Sequence, residues 1–204
     1  MPLGLAGEFA ALSANELENT GTSRVTGNAG STYASGAAIT LPCDQVIGTI
    51  YKRDARGPGC MQTALAYLTD AKADGDIAFN DSFARVPDYT NLDGGEIGGR
   101  NLGPATYRWD GRVSVRSDLT LTGGPNDVWI FQITEQLDVS PGVRIHLRGG
   151  ARAENIFWAP TFTVTLAESS HFEGILLPAA PVLMLNGSSI NGRLLAEGIQ
   201  LDSA

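Results

Sequence analysis

Residues 169–185, SSHFEGILLPAAPVLML, sit over residues 188–201, SSINGRLLAEGIQL, as one pattern written twice. Gly174 and Gly192 stand 18 positions apart, and so do Leu176–Leu177 and Leu194–Leu195. In each copy a further apolar run follows, PVLML in the first and GIQL in the second. Looser copies run back through 143–166, VRIHLRGGARAENIFWAPTFTVTL, and 119–139, LTLTGGPNDVWIFQITEQLDV. Each unit spans about 20 residues and holds three short stretches rich in β-branched or aromatic residues, bounded by Gly, Pro, Asn or Ser. A unit of that size cannot bury its inward face alone, so the coils must stack and share one core. The pattern predicts a mainly-β solenoid.

Three stretches per coil give three outward faces. One is built from VWIFQI, NIFW, GILL and GRLL, which are apolar on both sides and therefore expect cover on both sides. The cover is a helix. GPGCMQTALAYLTDAKADGD (57–76) places Met61, Leu65 and Leu68 on one side with Ala64 and Ala71, and has Pro58 near the start and Gly75 past the end. This predicts one helix over about 58–75. A second face carries Arg144, His146, Arg148, His171 and Glu173 outward and reads as a charged, hydrated surface.

The third face comes from EQLDVS, TFTVTL, PVLML and GIQLD. In TFTVTL the side chains alternate, so Phe162, Val164 and Leu166 are expected to point into the core and Thr161, Thr163 and Thr165 outward. The outward set is short and mixed, with Gln136, Asp138, Ser140, Pro181, Leu183, Leu185, Gly198 and Gln200 beside the threonines.

The totals narrow the function. A chain of 204 residues suits a single domain (1–204) with a sizeable core. A net charge of −8 argues against nucleic acid or an anionic membrane surface as partner. The longest apolar run, ILLPAAPVLML, is too short to span a bilayer and holds two prolines. Cys43 and Cys60 have no zinc spacing; one disulfide and two buried thiols both fit them. His146 and His171 read as surface residues, and the carboxylates Asp127, Asp138, Glu154, Glu168 and Glu173 are scattered over faces and turns, so no catalytic pair, cofactor site or metal site is expected. Asn80 (NDS) and Asn186 (NGS) match glycosylation acceptors. The opening MPLGLAGEF shows no signal-peptide pattern.

LGLAGEFAALS near the N-terminus, GGEIGGRNLGPATYRW in the middle, then NDVWIFQI, NIFW, SHFEGILL and INGRLLA, fall in an order and spacing that closely resembles the solenoid ice-binding (antifreeze) proteins of cold-living fungi, diatoms and bacteria. The resemblance runs from about Leu3 to Leu201. It implies a right-handed, discontinuous β-helix of triangular section with one α-helix along a face. It implies secretion, a monomer, no enzymatic activity, and adsorption to ice that inhibits crystal growth and recrystallisation. It also implies that the third face is the ice-binding one, centred on Thr161, Thr163 and Thr165 and joined by Gln136, Asp138, Ser140, Leu183, Gly198 and Gln200. The segment 31–50 is shorter than in many members, so a reduced cap is expected there, and a Cys43–Cys60 disulfide is compatible with members that carry a cysteine in this region. The alternative on the same scaffold is an adhesion or polysaccharide-binding module using Arg144, Arg148 and His171.

Threonine suits an ice face physically. Its hydroxyl can anchor a water, its methyl can order a neighbouring one, and its χ1 is stiff, so little freedom is lost on binding. Threonine is also common on exposed strands for packing reasons alone. Here the row occupies one coil only, with Asp138 before it and leucines after it, which points to modest activity.

Overall fold

The computed structural model describes all residues, 1–204. Its strands stack in parallel into a three-sided β-helix. The repeat read from the sequence is the rung itself: Gly174 stands opposite Gly192 and Leu176 opposite Leu194. The first side is a ten-stranded sheet. It runs from Tyr89–Thr90 through Thr106–Trp109, Trp129–Ile133, Ile156–Pro160, His171–Leu176 and Ser189–Ala196, then continues through Phe9–Ser13, Asn28–Ser31, Ile50–Lys52 and Gln62–Thr63. The β-helix is therefore discontinuous. The N-terminal strand Phe9–Ser13 docks on the last coil, with Ala11 opposite Leu194.

The main core runs along the axis, and a second, smaller cluster lies between the helix and the sheet. Tyr107, Phe131 and Trp158 stack from rung to rung, with Phe131 and Trp158 ring centroids 3.8 Å apart, and Phe172 closes the ladder against Trp158 at 5.1 Å. Flat rings at equal positions of successive rungs stack because the rung spacing is about 4.8 Å. The 18-residue glycines are needed where a rung turns a corner. Gly174 has φ +121°, and a Cβ there would meet the Ile156 carbonyl oxygen and the Trp158 indole nitrogen at 2.9 Å.

Helix α1 (Leu65–Ala84) lies along the ten-stranded side, as the doubly apolar strands required; Trp129–Ile133 and Ile156–Pro160 are buried throughout. The bounds of about 58–75 are corrected at both ends. Cys60 is tied to Cys43 by a disulfide, and Gln62 and Thr63 pair with Tyr51 and Lys52 as a strand, so residues 60–63 are held extended and the helix starts after them. At the far end Gly75 lies inside the helix. The stripe facing the sheet is Leu68 with Ala71, Ala78 and Ser82, the last three small enough to let the helix lie close. Met61 is buried in the main core, outside the helix, and Leu65 is 46% exposed. Gln132 fixes the helix end: its side-chain amide donates to the carbonyls of Ser82 (2.7 Å) and Arg85 (2.9 Å), where the helical hydrogen-bond ladder runs out. At the NDS glycosylation match, Asn80 is exposed on α1, whereas Ser82 is buried.

The stretch 31–50 forms two short 3-10 turns, Gly36–Ala38 and Cys43–Gln45, and the strand Val46–Ile47. The disulfide anchors this stretch to the segment leading into α1. No helix is long and apolar enough to cross a membrane.

Candidate ice-binding face

The second side is a six-stranded parallel sheet: Val113–Val115, Leu137–Val139, Val164–Leu166, Val182–Met184, Ile199–Leu201 and Leu17–Asn19. Every rung is in register, with no bulge. Ser114, Asp138, Thr165, Leu183, Gln200 and Glu18 stand opposite one another in a single outward row. Their neighbours along the strands point inward and, Asn19 apart, are buried, Val164 and Leu166 or Val182 and Met184 for example. The alternation read from the sequence is the one observed.

Two further rows flank the central one. Backbone bonds chain Gln136, Thr163, Pro181, Gly198 and Glu16 on one side: Leu137 donates to Thr163, Val164 to Pro181, Val182 to Gly198 and Ile199 to Glu16, at 2.8–3.2 Å. On the other side Ser140, Ala167, Leu185 and Asp202 follow the strands. Rows lie roughly 6.8 Å apart and rungs about 4.8 Å apart.

The rungs differ in charge. At one end Asp138 sits 3.4 Å from Arg112, and Arg116 sits 3.4 Å from Glu96. At the other end Glu16 and Glu18 are exposed. Between them lies an uncharged patch of Thr163, Thr165 and Ala167 beside Pro181, Leu183 and Leu185. The hydroxyls of Thr163 and Thr165 make no hydrogen bond within the protein, so both are free for water.

Two expectations about TFTVTL are corrected. Thr161 is not part of the row. Residues Ile156–Pro160 still belong to the helix-covered sheet, Pro160 standing opposite Ile133, so the chain turns its corner at Thr161 and Phe162. There the Thr161 hydroxyl donates to the Thr134 carbonyl at 2.7 Å. The same corner turns Phe162 outward, 57% exposed, rather than into the core. Gln136, Asp138, Ser140, Thr163, Thr165, Leu183, Gly198 and Gln200 do share the face. Reading four strands missed two. Val113–Val115 was legible in the alternation of RVSVR, whereas Leu17–Asn19 joins the face only because the N-terminal coil docks on the C-terminal one.

The third side is polar by contrast. Asp118, His146, His171, Glu173, Ser189 and Asn191 are crosslinked: His146 Nε2 lies 2.9 Å from Asp118, His171 Nδ1 lies 2.8 Å from the Ser189 hydroxyl, and the Asn191 amide donates to Glu173 at 2.8 Å. The hydrogen bond with His146, then the Arg144 N–H, hold the Asp118 carboxyl below its ordinary range. No three His, Cys, Asp or Glu side chains cluster as a metal site would need.

Comparison with known proteins agrees with this geometry. The family described as Ice-binding-like matches residues 11–204. The chain belongs to that ice-binding family. It is 44% identical over 196 residues to an ice-binding protein of Flavobacterium frigoris, spanning 96% of this chain and 71% of that one. An ice-binding protein of a Colwellia species is 42% identical over 197 residues, 96% of this chain and 78% of the relative. Among solved structures, an ice-binding protein from an Arctic yeast, described for its antifreeze activity, superposes with a TM-score of 0.94 at 34% identity, covering 100% of this chain and 91% of that one. The family is an ice-binding one rather than a catalytic one.

Proposed function

We propose that this protein adsorbs to ice through the six-stranded face and thereby inhibits crystal growth and recrystallisation, acting outside the cell as a monomeric, non-catalytic single domain. The observation that carries the reading is the uncharged central patch, where Thr163 and Thr165 present unpartnered hydroxyls in register with Pro181 and Leu183. Such a patch can hold waters at fixed spacings: hydroxyls anchor them, and methyl and aliphatic groups confine their neighbours without bonding them. A buried, stacked core beneath keeps the rows rigid, so little entropy is lost on adsorption. Thr161 drops out of the centre proposed from sequence, because its hydrogen is committed to a carbonyl. Asp138 lies at the margin, paired with Arg112.

Thermal hysteresis with observation of crystal shape tests the reading. A faceted crystal with a freezing gap, lost in Thr165→Tyr without loss of fold, supports it. Round, freely growing crystals would remove ice as the target. The adhesion alternative is weaker, because Asp118 and Glu173 sit among the cations of the third side and leave it no uniform positive field.

A further inference from the structure

Four successive coils cross the six-stranded side. Written from the corner with the helix-covered side, they read EQLDVS (135–140), FTVTLA (162–167), APVLML (180–185) and EGIQLD (197–202). Their register holds from the sheet back into that corner. Val164 stands opposite Val182, and the Ala179 N–H donates to the Pro160 carbonyl at 3.1 Å, so Phe162 stands beside Ala180 in the same way. On its other flank the Phe162 N–H donates to the Glu135 carbonyl at 3.4 Å. Aligned like this, the two middle coils carry no charge at any of these positions. Each outer coil carries two carboxylates, Glu135 and Asp138 on one, Glu197 and Asp202 on the other. The uncharged area is therefore a band that runs across the solenoid axis, two coils deep, and it does not stop where the sheet stops.

Phe162 is the large residue in the part of the band that lies beyond the sheet. It is 57% exposed and belongs to neither hydrophobic cluster, so the fold gains little from its ring. Its place is nevertheless fixed. The preceding residue is bonded twice to the coil before it: the Thr161 N–H donates to the Ile133 carbonyl at 2.9 Å and the Thr161 hydroxyl to the Thr134 carbonyl at 2.7 Å. Ile77 on α1 is a useful contrast. It is 64% exposed, yet it stands one helical turn from Asp74 and Asp81 and next to Asp76, so it is a lone apolar residue among carboxylates. Single exposed apolar residues of that kind are ordinary, whereas contiguous apolar surface rimmed by charge marks a contact site.

We propose that Phe162 is an ice-contacting residue and that the ice contact is this transverse band, continued past the sheet onto the corner at Phe162 and Ala180 and bounded along the axis by the four carboxylates. The proposal rests on the ice-binding reading and narrows it. An ionised carboxylate keeps its own hydration shell, and stripping or ordering that shell costs free energy, so the contact ends where Glu135, Asp138, Glu197 and Asp202 begin. A pinned aromatic ring does the opposite. It bonds no water, confines the water beside the Thr163 hydroxyl, and has no backbone freedom left to lose.

Thermal hysteresis and Tm of the whole protein are compared for Phe162→Ala, Phe162→Leu, Phe162→Glu and Ile77→Ala. Phe162→Ala should lower hysteresis about twofold, and Phe162→Glu should lower it further by setting a carboxylate inside the band. Phe162→Leu should keep most of it, Ile77→Ala should leave it unchanged, and Tm should hold in all four. Hysteresis untouched by Phe162→Ala and Phe162→Glu, while Thr165→Tyr removes it, overturns the proposal and leaves the ice-binding reading standing. Equal losses in Phe162→Ala and Ile77→Ala, or a loss that comes with a matching fall in Tm, overturn it as well. A wild type without hysteresis removes the reading and the proposal together.

Discussion

The six-stranded side and the third side are made by the same coils, yet their surfaces are opposites. On the third side, polar side chains at successive rungs bond one another: Thr122 to Asn101 at 2.8 Å, His171 to Ser189 and Asn191 to Glu173. On the six-stranded side the central threonines bond nothing in the protein, and leucines and proline lie next to them. The inward residues of both sides are alike, Leu119, Leu121 and Ile145 on one, Val164, Leu166 and Val182 on the other. The scaffold is therefore indifferent to what its outer positions carry. A surface whose polar groups satisfy each other has little left to organise water, whereas one with free hydroxyls on a rigid lattice can.

The most direct way to break this comparison is to raise a large group on one side at a time. Thr165→Tyr should remove most of the thermal hysteresis, while Thr120→Tyr on the third side leaves it intact, with circular dichroism and Tm nearly unchanged in both. Equal losses would mean that the two sides do not divide the labour. Thr163→Tyr should act in the same direction as Thr165→Tyr.

A second prediction asks whether the helix-covered side contributes only through rigidity. Leu68→Ala empties a fully buried contact between α1 and the sheet and should cost about 2–5 kcal/mol of stability. Hysteresis measured well below the new Tm should persist. If it vanished while the fold remained, α1 would have a part in ice contact that the geometry does not give it.

The disulfide offers a sharper test of the same division, since it lies far along the chain from the threonine row. Cys43→Ser with Cys60→Ser should lower stability by about 3 kcal/mol, the loop-closure effect for a separation of this length, seen as a lower midpoint in denaturant melts. Ice activity of the folded protein should not change.

The smallest effect is in pH. Asp118 has its folded pKa depressed below the usual 3.8, first by His146 and then by the Arg144 N–H. A depressed carboxyl contributes stability above its unfolded pKa and loses it as pH falls through the folded one. Tm should hold from neutral pH to about pH 4 and decline below, and His146→Ala should shrink that decline. Because Asp118 belongs to the third side, hysteresis per folded molecule should be level over the same range.

Much of this was legible in the chain. The 18-residue offset between Gly174 and Gly192 is the rung offset, and the doubly apolar WIFQI and IFWAP strands do lie under the helix. The outward row of the six-stranded side was mostly legible too, because period-two alternation assigns Thr163, Thr165, Leu183 and Gln200 to one side without any knowledge of neighbours. The failures occurred where a long-range partner overrides a local pattern. Met61, Leu65 and Leu68 fit a helical stripe, but strand pairing by Gln62–Thr63 and the bond at Cys60 hold the Met61 end extended, and the helix begins only at Leu65. Thr161 and Phe162 continue the alternation on paper, but pairing of Pro160 with Ile133 delays the corner until they are on it.

What the sequence determined by itself was the period, the inward and outward positions within each strand, and the family, since all three rest on residues close in the chain or on their order. The tertiary structure alone decided which coil lies next to which, that the first strand seats on the last, and that Leu17–Asn19 completes the six-stranded sheet. Those outcomes follow from burying edges and apolar faces against segments more than a hundred residues away, and no local pattern of residues carries that information.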